Sequence, residues 1–528
     1  MSDTAPPSGS RLLSAAALVG SATLLSRLTG FIRDIGIAAF LGAGPFAEIF
    51  VIAFRLPNLF RRLFAEGAFN AAFVPLFSAR MEQDGREAAL GFAGRIGAVL
   101  VAALIIFTVL AEIFMPQLVY LLAQGFADTP KKFDLAVYYA RISFPYLACM
   151  SLVSLFSAML NAKGRFLAAA MAPVLLNLVL LAALGMALWF AGYQARAALD
   201  WLIWGVAVAG PVQLIVVAVA AWRAGLRLPF TWPRLSPDVQ QMFVLAVPGV
   251  LAAGIGQINL LVGTSIATGQ QGAAAWLYYA DRLYQLPMGV VGVALSVALL
   301  PNLSRLLAAG DTTGARASQT LAVLAAMALT LPASVGLYVL AQPVIALLFE
   351  RGAFSAADTQ ATALAIKAFC FGLPAFVLIK ALQPSFFARR DTRAPLIDGA
   401  IGVAVNIGFS LSLFPVYGHV AIALATSLAG WVTLGLMLAR LARRGIWQVN
   451  WRLARQLAAQ LVAALVMGLA LNGLMALAGR HGLVINNVTG QIFYVAALVL
   501  AGAAIFFALA RLLGGVQLSD VESLRKGA

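Results

Sequence analysis

RLPNLFRRLFAEGAF, residues 55–69, sets Arg55, Arg61, Arg62 and Glu66 between two apolar flanks, AEIFVIAF before it and NAAFVPLF after it. Two readings are open. The stretch is an interfacial helix whose arginines reach the lipid headgroups, or it is a polar site inside a membrane protein. On a helix, Arg55, Asn58, Arg62 and Glu66 fall at i, i+3, i+7 and i+11, along one face. Pro57 lacks an N–H and disturbs the helix beside them. The pattern predicts a kinked span carrying a polar stripe, with Glu66 paired to arginine.

The rest of the chain favours a membrane. Of 528 residues, 62% are hydrophobic and 11% charged, with a mean hydropathy of +0.93. A soluble chain carries about a quarter charged residues. Long continuous apolar runs point to an all-α polytopic protein, because a helix satisfies its own backbone in lipid. Barrel strands would instead alternate in segments of about ten residues. The net charge of +16 is scattered between apolar segments, which opposes a nucleic-acid face and suits the positive-inside rule. Cys149 and Cys370 lie in apolar segments and form no disulfide framework or zinc spacing. His419 and His481 read as ordinary loop residues, and neither a metal nor a cofactor is expected.

Residues 1–11 read as a disordered tail. The apolar run after them passes Phe40, too long for a signal-peptide core of roughly 7–15 residues, and is read as a retained first span. Fourteen spans are expected, near 12–41, 45–79, 88–123, 133–160, 166–191, 197–222, 238–267, 273–304, 317–349, 357–387, 394–414, 419–439, 456–478 and 490–511, with a tail at 512–528. Alternate loops hold only Lys131, Lys132, Arg196, Arg351 and Arg480, against 21 Lys and Arg on the other side. Both termini are therefore expected in the cytoplasm. Ten cations remain within the spans: Arg27, Arg33, Arg55, Arg61, Arg62, Arg95, Arg141, Arg282, Lys367 and Lys380. Each would cost about 2.5–3.5 kcal/mol near mid-membrane. Seven are in the first half, which is more than snorkelling explains.

The chain also repeats itself. Ala162 and Ala388 lie 226 residues apart in MLNAKGRF and FFARRDTR; Asn177 answers Asn406 at 229. FRLPN at 54 answers DRLYQLP at 281, and VPLFS at 74 answers LPNLS at 300. Two six-helix halves follow, 12–222 and 238–439, with two extra helices at 456–511. An even number of helices per repeat keeps orientation, so the halves are expected about an axis along the membrane normal with a substrate site between them.

SRLTGFIRD, residues 26–34, puts Arg27 and Asp34 on one helix face and Arg33 next to Asp34, with Gly30 free to bend the helix. YYADRLYQLP, residues 278–287, allows Asp281 to neutralise Arg282, and its tyrosines read as an interfacial belt or as sugar-facing walls. Arginine's planar fork binds phosphate bidentately. The substrate is therefore read as anionic, a phosphate or pyrophosphate. No nucleophile–base pair, P-loop or ATP-binding domain is apparent. A membrane glycosyltransferase would show acidic residues in a sizeable loop, and a cationic-drug antiporter would want acids in its spans; six acids stand there against ten bases.

SRLTGFIRD, AFRLPNLFRRLFAEGAFNAAFVP and YYADRLYQLPMGVVGVALSVALLP, with the fourteen spans, resemble the MurJ (MviN) lipid II flippase family of the MOP exporter superfamily. The resemblance covers nearly the whole chain. It implies a V-shaped bundle of two six-helix lobes with a cationic central cavity, a groove at helices 13 and 14 for the polyprenyl tail, and transport by alternating access. By motif match, Arg27, Arg33, Arg61 and Arg282 look like the family's essential arginines. Arg33 and Asp34 look like part of the substrate-facing cluster, alongside Arg55, Arg62 and Glu66. Lipid II, membrane lipids and the cell-wall synthesis machinery are the implied partners of a monomeric transport unit. Glu48 stands where relatives often carry Asp, and Gln285 where some carry an acid. An O-antigen flippase of the same superfamily is the remaining alternative.

Overall fold

The computed structural model describes residues 9–64, 68–480 and 487–516. Glu66, His481 and most of the expected terminal tails lie outside those residues. Ten helices run through the first half: α1 (Gly9–Leu41), α2 (Pro45–Phe64), α3 (Ala68–Gln83), α4 (Gly85–Ile113), α5 (Met115–Leu122), α6 (Pro130–Ser143), α7 (Tyr146–Ala162), α8 (Leu167–Ala191), α9 (Ala195–Arg223) and α10 (Pro237–Ala267). Ten more follow: α11 (Ala273–Pro287), α12 (Ala294–Ala308), α13 (Thr312–Val339), α14 (Ala341–Phe349), α15 (Ala356–Cys370), α16 (Leu373–Phe387), α17 (Arg393–Tyr417), α18 (His419–Arg443), α19 (Trp451–Arg480) and α20 (Val488–Leu512).

The described residues of each expected span lie mainly in helix, several spans falling on two successive helices. By length and apolar composition, however, ten helices among the described residues can cross a membrane, or eleven if α15 and α16, bent by 43°, make one span. Fourteen is not reached by that measure. The shortfall is at α1, at α2 with α3, and at α10. Helix α1 holds Arg27, Arg33 and Asp34 within eight residues, α2 carries three arginines, and the apolar part of α10 is only Gly254–Ala267.

Helix boundaries recur at one spacing. Leu41 and Ala267, Ile113 and Val339, Pro130 and Ala356, Leu167 and Arg393, and Ala191 and Tyr417 are each 226 residues apart. The turns recur too. Gly192 (φ 60°) and Gly418 (φ 54°) close α8 and α17, and Gly164 (φ 69°) and Arg390 (φ 59°) follow α7 and α16. Asn406 is thus one turn beyond the equivalent of Asn177. It still stands on nearly the same helix face.

The chain divides into two compact units, Met1–Ala275 with Arg351–Phe354, and Trp276–Glu350 with Ser355–Ala528. In the first, α1 packs on α8, α8 on α9, and α2 on α6. Helix α10 packs on α2 and α3, with Asp238 at its start bonded to Arg80 and Arg95 at 2.5 Å each. The segment Arg351–Phe354 belongs here because the Ala353 N–H donates to the Ala39 carbonyl (2.8 Å), a helix-end acceptor that α1 leaves open. The compact units change at 275/276, whereas the change expected from the sequence lies between 222 and 238.

In the second unit, Val323, Leu382, Phe386, Met437 and Leu441 form a core between α13, α16 and α18. Helices α19 and α20 pack on α13 through Ala463, Met467, Leu471, Leu498 and Phe506. Their other faces leave Leu469, Phe493 and Leu500 exposed.

Arg390 is the one described non-glycine residue with positive φ, and its repeat equivalent is Gly164. A left-handed conformation costs an L-residue roughly 1–2 kcal/mol, partly offset by glycine's greater chain entropy. Arg390→Gly is therefore expected to raise stability by about 0.5–1 kcal/mol, and Gly164→Ala to lower it. Thermal unfolding in detergent micelles measures both; unchanged midpoints would contradict the assignment.

Candidate functional site

The opening stretch lies on α2, which runs on through Pro57. A proline cannot donate to the carbonyl four residues back, here that of Ala53. Ser143 of α6 donates its hydroxyl to that carbonyl (2.8 Å). The helix carrying the arginines is thus fixed to α6 where its own ladder is interrupted. Asn58 donates to the Phe54 carbonyl (2.7 Å) and accepts from Arg61 Nε (3.1 Å). Arg61 is half-buried and Arg62 exposed at the end of α2. Arg55 is half-buried and donates to Thr264 Oγ1 of α10 (2.6 Å), which donates on to the Leu260 carbonyl.

On α1, Arg33 is 5% and Asp34 1% exposed. Arg33 Nε and Nη2 both donate to Asp34 Oδ1 (3.0 and 2.7 Å), and Nη1 donates to Asn177 Oδ1 of α8 (2.7 Å). Asn177 Nδ2 donates to the Ser26 carbonyl (2.9 Å) and to Thr29 Oγ1 (3.2 Å). A Cβ on Gly30 would stand 3.2 Å from Asn177 Nδ2. Helix α1 continues unbroken past Gly30, so the glycine admits Asn177 rather than ending the helix. Arg27, six residues earlier, is exposed and makes no ion pair among the described residues. The two arginines of SRLTGFIRD therefore have opposite surroundings.

In the second unit, Arg282 of α11 donates to the Tyr278 hydroxyl (3.0 Å), and its guanidinium lies 4.7 Å over the Tyr278 ring. Asp281 accepts from the Gln285 amide one turn on. The tyrosines are neither a belt nor open walls. Tyr278, Tyr279 and Tyr284 are buried, Tyr279 against Phe349 and Tyr284 against Phe369, with centroids 5.2 Å apart in each pair. His419 is likewise no loop residue. It opens α18, buried, with Nε2 2.9 Å from the Ala361 carbonyl.

Three residues tied to this region escaped the reading of the sequence as site members. Glu48, wholly buried at the start of α2, accepts from Lys132 Nζ (2.5 Å) and from the Gly272 N–H (2.9 Å). Asn177 and Ser143 sit in apolar runs. Their only signals were the repeat for Asn177 and the presence of a proline on α2 for Ser143. Among the described residues no group of His, Cys, Asp or Glu could hold a metal ion.

Removing one member of a buried ion pair strands the other, at roughly 3–5 kcal/mol. Asp34→Ala is expected to lower stability by about 3 kcal/mol, whereas Arg27→Ala, at an exposed site, should change it by less than about 0.5 kcal/mol. Unfolding midpoints of the two purified variants test the contrast; equal losses would show that Arg33 and Arg27 are not differently placed.

A family model described as lipid II flippase MurJ matches residues 37–492. The chain is 46% identical over 514 residues to a probable lipid II flippase MurJ of Rhizobium meliloti, covering 97% of this chain and 96% of that one. It is 34% identical over 441 residues to the lipid II flippase MurJ of Burkholderia cenocepacia, covering 81% and 84%. Among solved structures, a lipid II flippase MurJ in an inward closed conformation superposes with a TM-score of 0.78 at 21% identity, covering 94% of this chain and 98% of that one. An inward-facing MATE-family multidrug transporter of the MOP superfamily superposes at 0.65 and 15% identity, covering 82% and 98%.

Proposed function

The chain belongs to the MurJ family of lipid II flippases, and from that premise we propose that its first-unit arginines carry the pyrophosphate of lipid II from the inner to the outer leaflet. The protein is a transporter, not an enzyme, and a multi-pass protein of the bacterial cytoplasmic membrane. Its cargo's headgroup is charged and sugar-bearing, so crossing hydrocarbon unaided would strip water from the phosphates at prohibitive cost. Guanidinium groups replace that water with short, charge-assisted hydrogen bonds.

The observation that carries this reading is the contrast within one helix between Arg33, buried in a hydrogen-bond network, and Arg27, exposed and without an ion pair among the described residues. Arg33 is held by Asp34 and Asn177, and Arg55 bonds to Thr264, so we assign both to shaping the site. Arg27 and Arg62 are exposed and Arg61 half-exposed, and we assign these to phosphate contact. Arg282, held over Tyr278, is assigned to the same proposal through its place in the motif. Glu66 belongs to the same proposal through its place in the motif alone. Alternating access of the two six-helix halves moves the headgroup, with both termini in the cytoplasm. The exposed apolar faces of α19 and α20 receive the polyprenyl tail, so that only the headgroup passes through protein. A monomer working beside the cell-wall synthesis machinery is sufficient for this cycle.

The test is replacement of the host protein by variants, followed by labelling of lipid II at the outer face. Arg27→Ala and Arg61→Ala should reduce exposure at least tenfold at normal membrane abundance, a loss of about 1.4 kcal/mol or more in transport free energy, and Lys should restore it only in part. Normal exposure with both Ala variants would refute the assignment of phosphate contact.

A further inference from the structure

The first unit contains a second cationic site, away from the arginines of α1 and α2. A cavity of about 620 Å³ is lined by Phe46 of α2, by Lys131, Lys132, Asp134 and Tyr138 of α6, and by Arg196 of α9. The charge bias gives the outward loops only five cations in the whole chain, and three of them line this one cavity. That concentration runs against the rule that placed the chain in the membrane.

The placement is also unfavourable within each helix. Lys131 and Lys132 occupy the first turn of α6 and Arg196 the first turn of α9. The N-terminal end of a helix carries partial positive charge, so a cation there is opposed by the helix itself. Neither first turn contains an acid, and neither Thr129 nor Gln194 caps its helix with a side chain. Helix α2 also begins at the cavity, with Pro45 in its wall.

Lys132 is committed: its Nζ bonds to Glu48 and sits 3.9 Å over the Phe126 ring. Lys131 and Arg196 are exposed and make no ion pair among the described residues. Asp134 lines the same cavity and offsets one charge. Asp200, one turn below Arg196 on α9, accepts instead from the Tyr139 hydroxyl. Tyr138, 55% exposed, and Phe46 give the cavity an aromatic wall.

We infer that this cavity binds a phosphate-bearing lipid headgroup at the outer face. Two uncommitted cations supply the donors for a phosphate, the positive ends of α6 and α9 add a favourable field, and the aromatic wall suits the apolar or sugar part beside it. The headgroup comes either from the cargo after its passage or from an anionic phospholipid of the outer leaflet. The cargo alternative rests on the function proposed above; the phospholipid alternative does not.

Binding should be measured on the purified full chain in nanodiscs of neutral lipid, titrated separately with undecaprenyl pyrophosphate and with phosphatidylglycerol. The variants are Lys131→Gln/Arg196→Gln and, as a charge reversal, Lys131→Glu/Arg196→Glu. Loss of two charge-assisted contacts should weaken one probe at least about tenfold. Arg27→Ala, which disables the proposed transport site, should keep the outer site intact once its own contribution is subtracted. Weakening confined to undecaprenyl pyrophosphate assigns the site to cargo, and weakening confined to phosphatidylglycerol assigns it to the bilayer. Equal affinity of wild type and both double variants for both probes, with unchanged unfolding midpoints, would overturn the inference. If Arg27→Ala still transports while the double variants lose binding, the proposed transport site fails and the outer site stands.

Discussion

The carbonyl of Ala53 has no amide to receive in its own helix, because the residue four positions on is Pro57, and no water is available in hydrocarbon to replace it. Ser143 of α6 fills the gap. The same device recurs in the second unit: Pro374 cannot donate to the Cys370 carbonyl, and the Ser334 hydroxyl of α13 does so at 2.5 Å. Such donors do more than satisfy an acceptor. They select which helix must lie against the interruption. The Glu48–Lys132 pair joins α2 to α6 again, one end of the helix pair being held by charge and the middle by a hydroxyl. The arginines of α2 are therefore presented by a helix whose position is set twice.

Charge follows the same constraint. Arg33 and Asp34 are neighbours in sequence, and their side chains leave the helix about 100° apart. They meet because the long guanidinium folds back, and Asn177 of α8 completes the arrangement by taking one donor and giving two of its own. A bare pair would leave donors unsatisfied in a medium that penalises each of them. Arg27 has no such partners. One sequence signal, an arginine within a span, thus has two outcomes, and the neighbour supplied by another helix decides between them.

That is also why the fold was more legible than the site. Apolar run length located the helices, and the spacing of the repeat appeared in MLNAKGRF and FFARRDTR before it reappeared at Gly192 and Gly418. Both depend on periodicity along one chain. The number of spans was less secure: ten or eleven pass an apolar criterion among the described residues. Site membership depends on packing between helices far apart in sequence. Asn177 lies 144 residues from Arg33, and Lys132 lies 84 from Glu48. The tyrosines of YYADRLYQLP were misread for the same reason: a tyrosine facing Phe349 or Phe369 is indistinguishable in sequence from one facing a sugar.

The two halves share boundaries but use equivalent ground differently. In the first, the stretch after the opening helix carries Arg55, Arg61 and Arg62 and is tethered by polar contacts. In the second, the corresponding stretch buries Tyr279 and Tyr284 against phenylalanines and retains one intramembrane arginine, Arg282, steadied by Tyr278. Aromatic packing of this kind adds stability without burying a charge. The first half concentrates cations on the same ground, with Arg33 met by Asp34 and Asn177 and Arg55 by Thr264. A duplicated scaffold thus fills equivalent ground with aromatic packing in one half and with charge in the other.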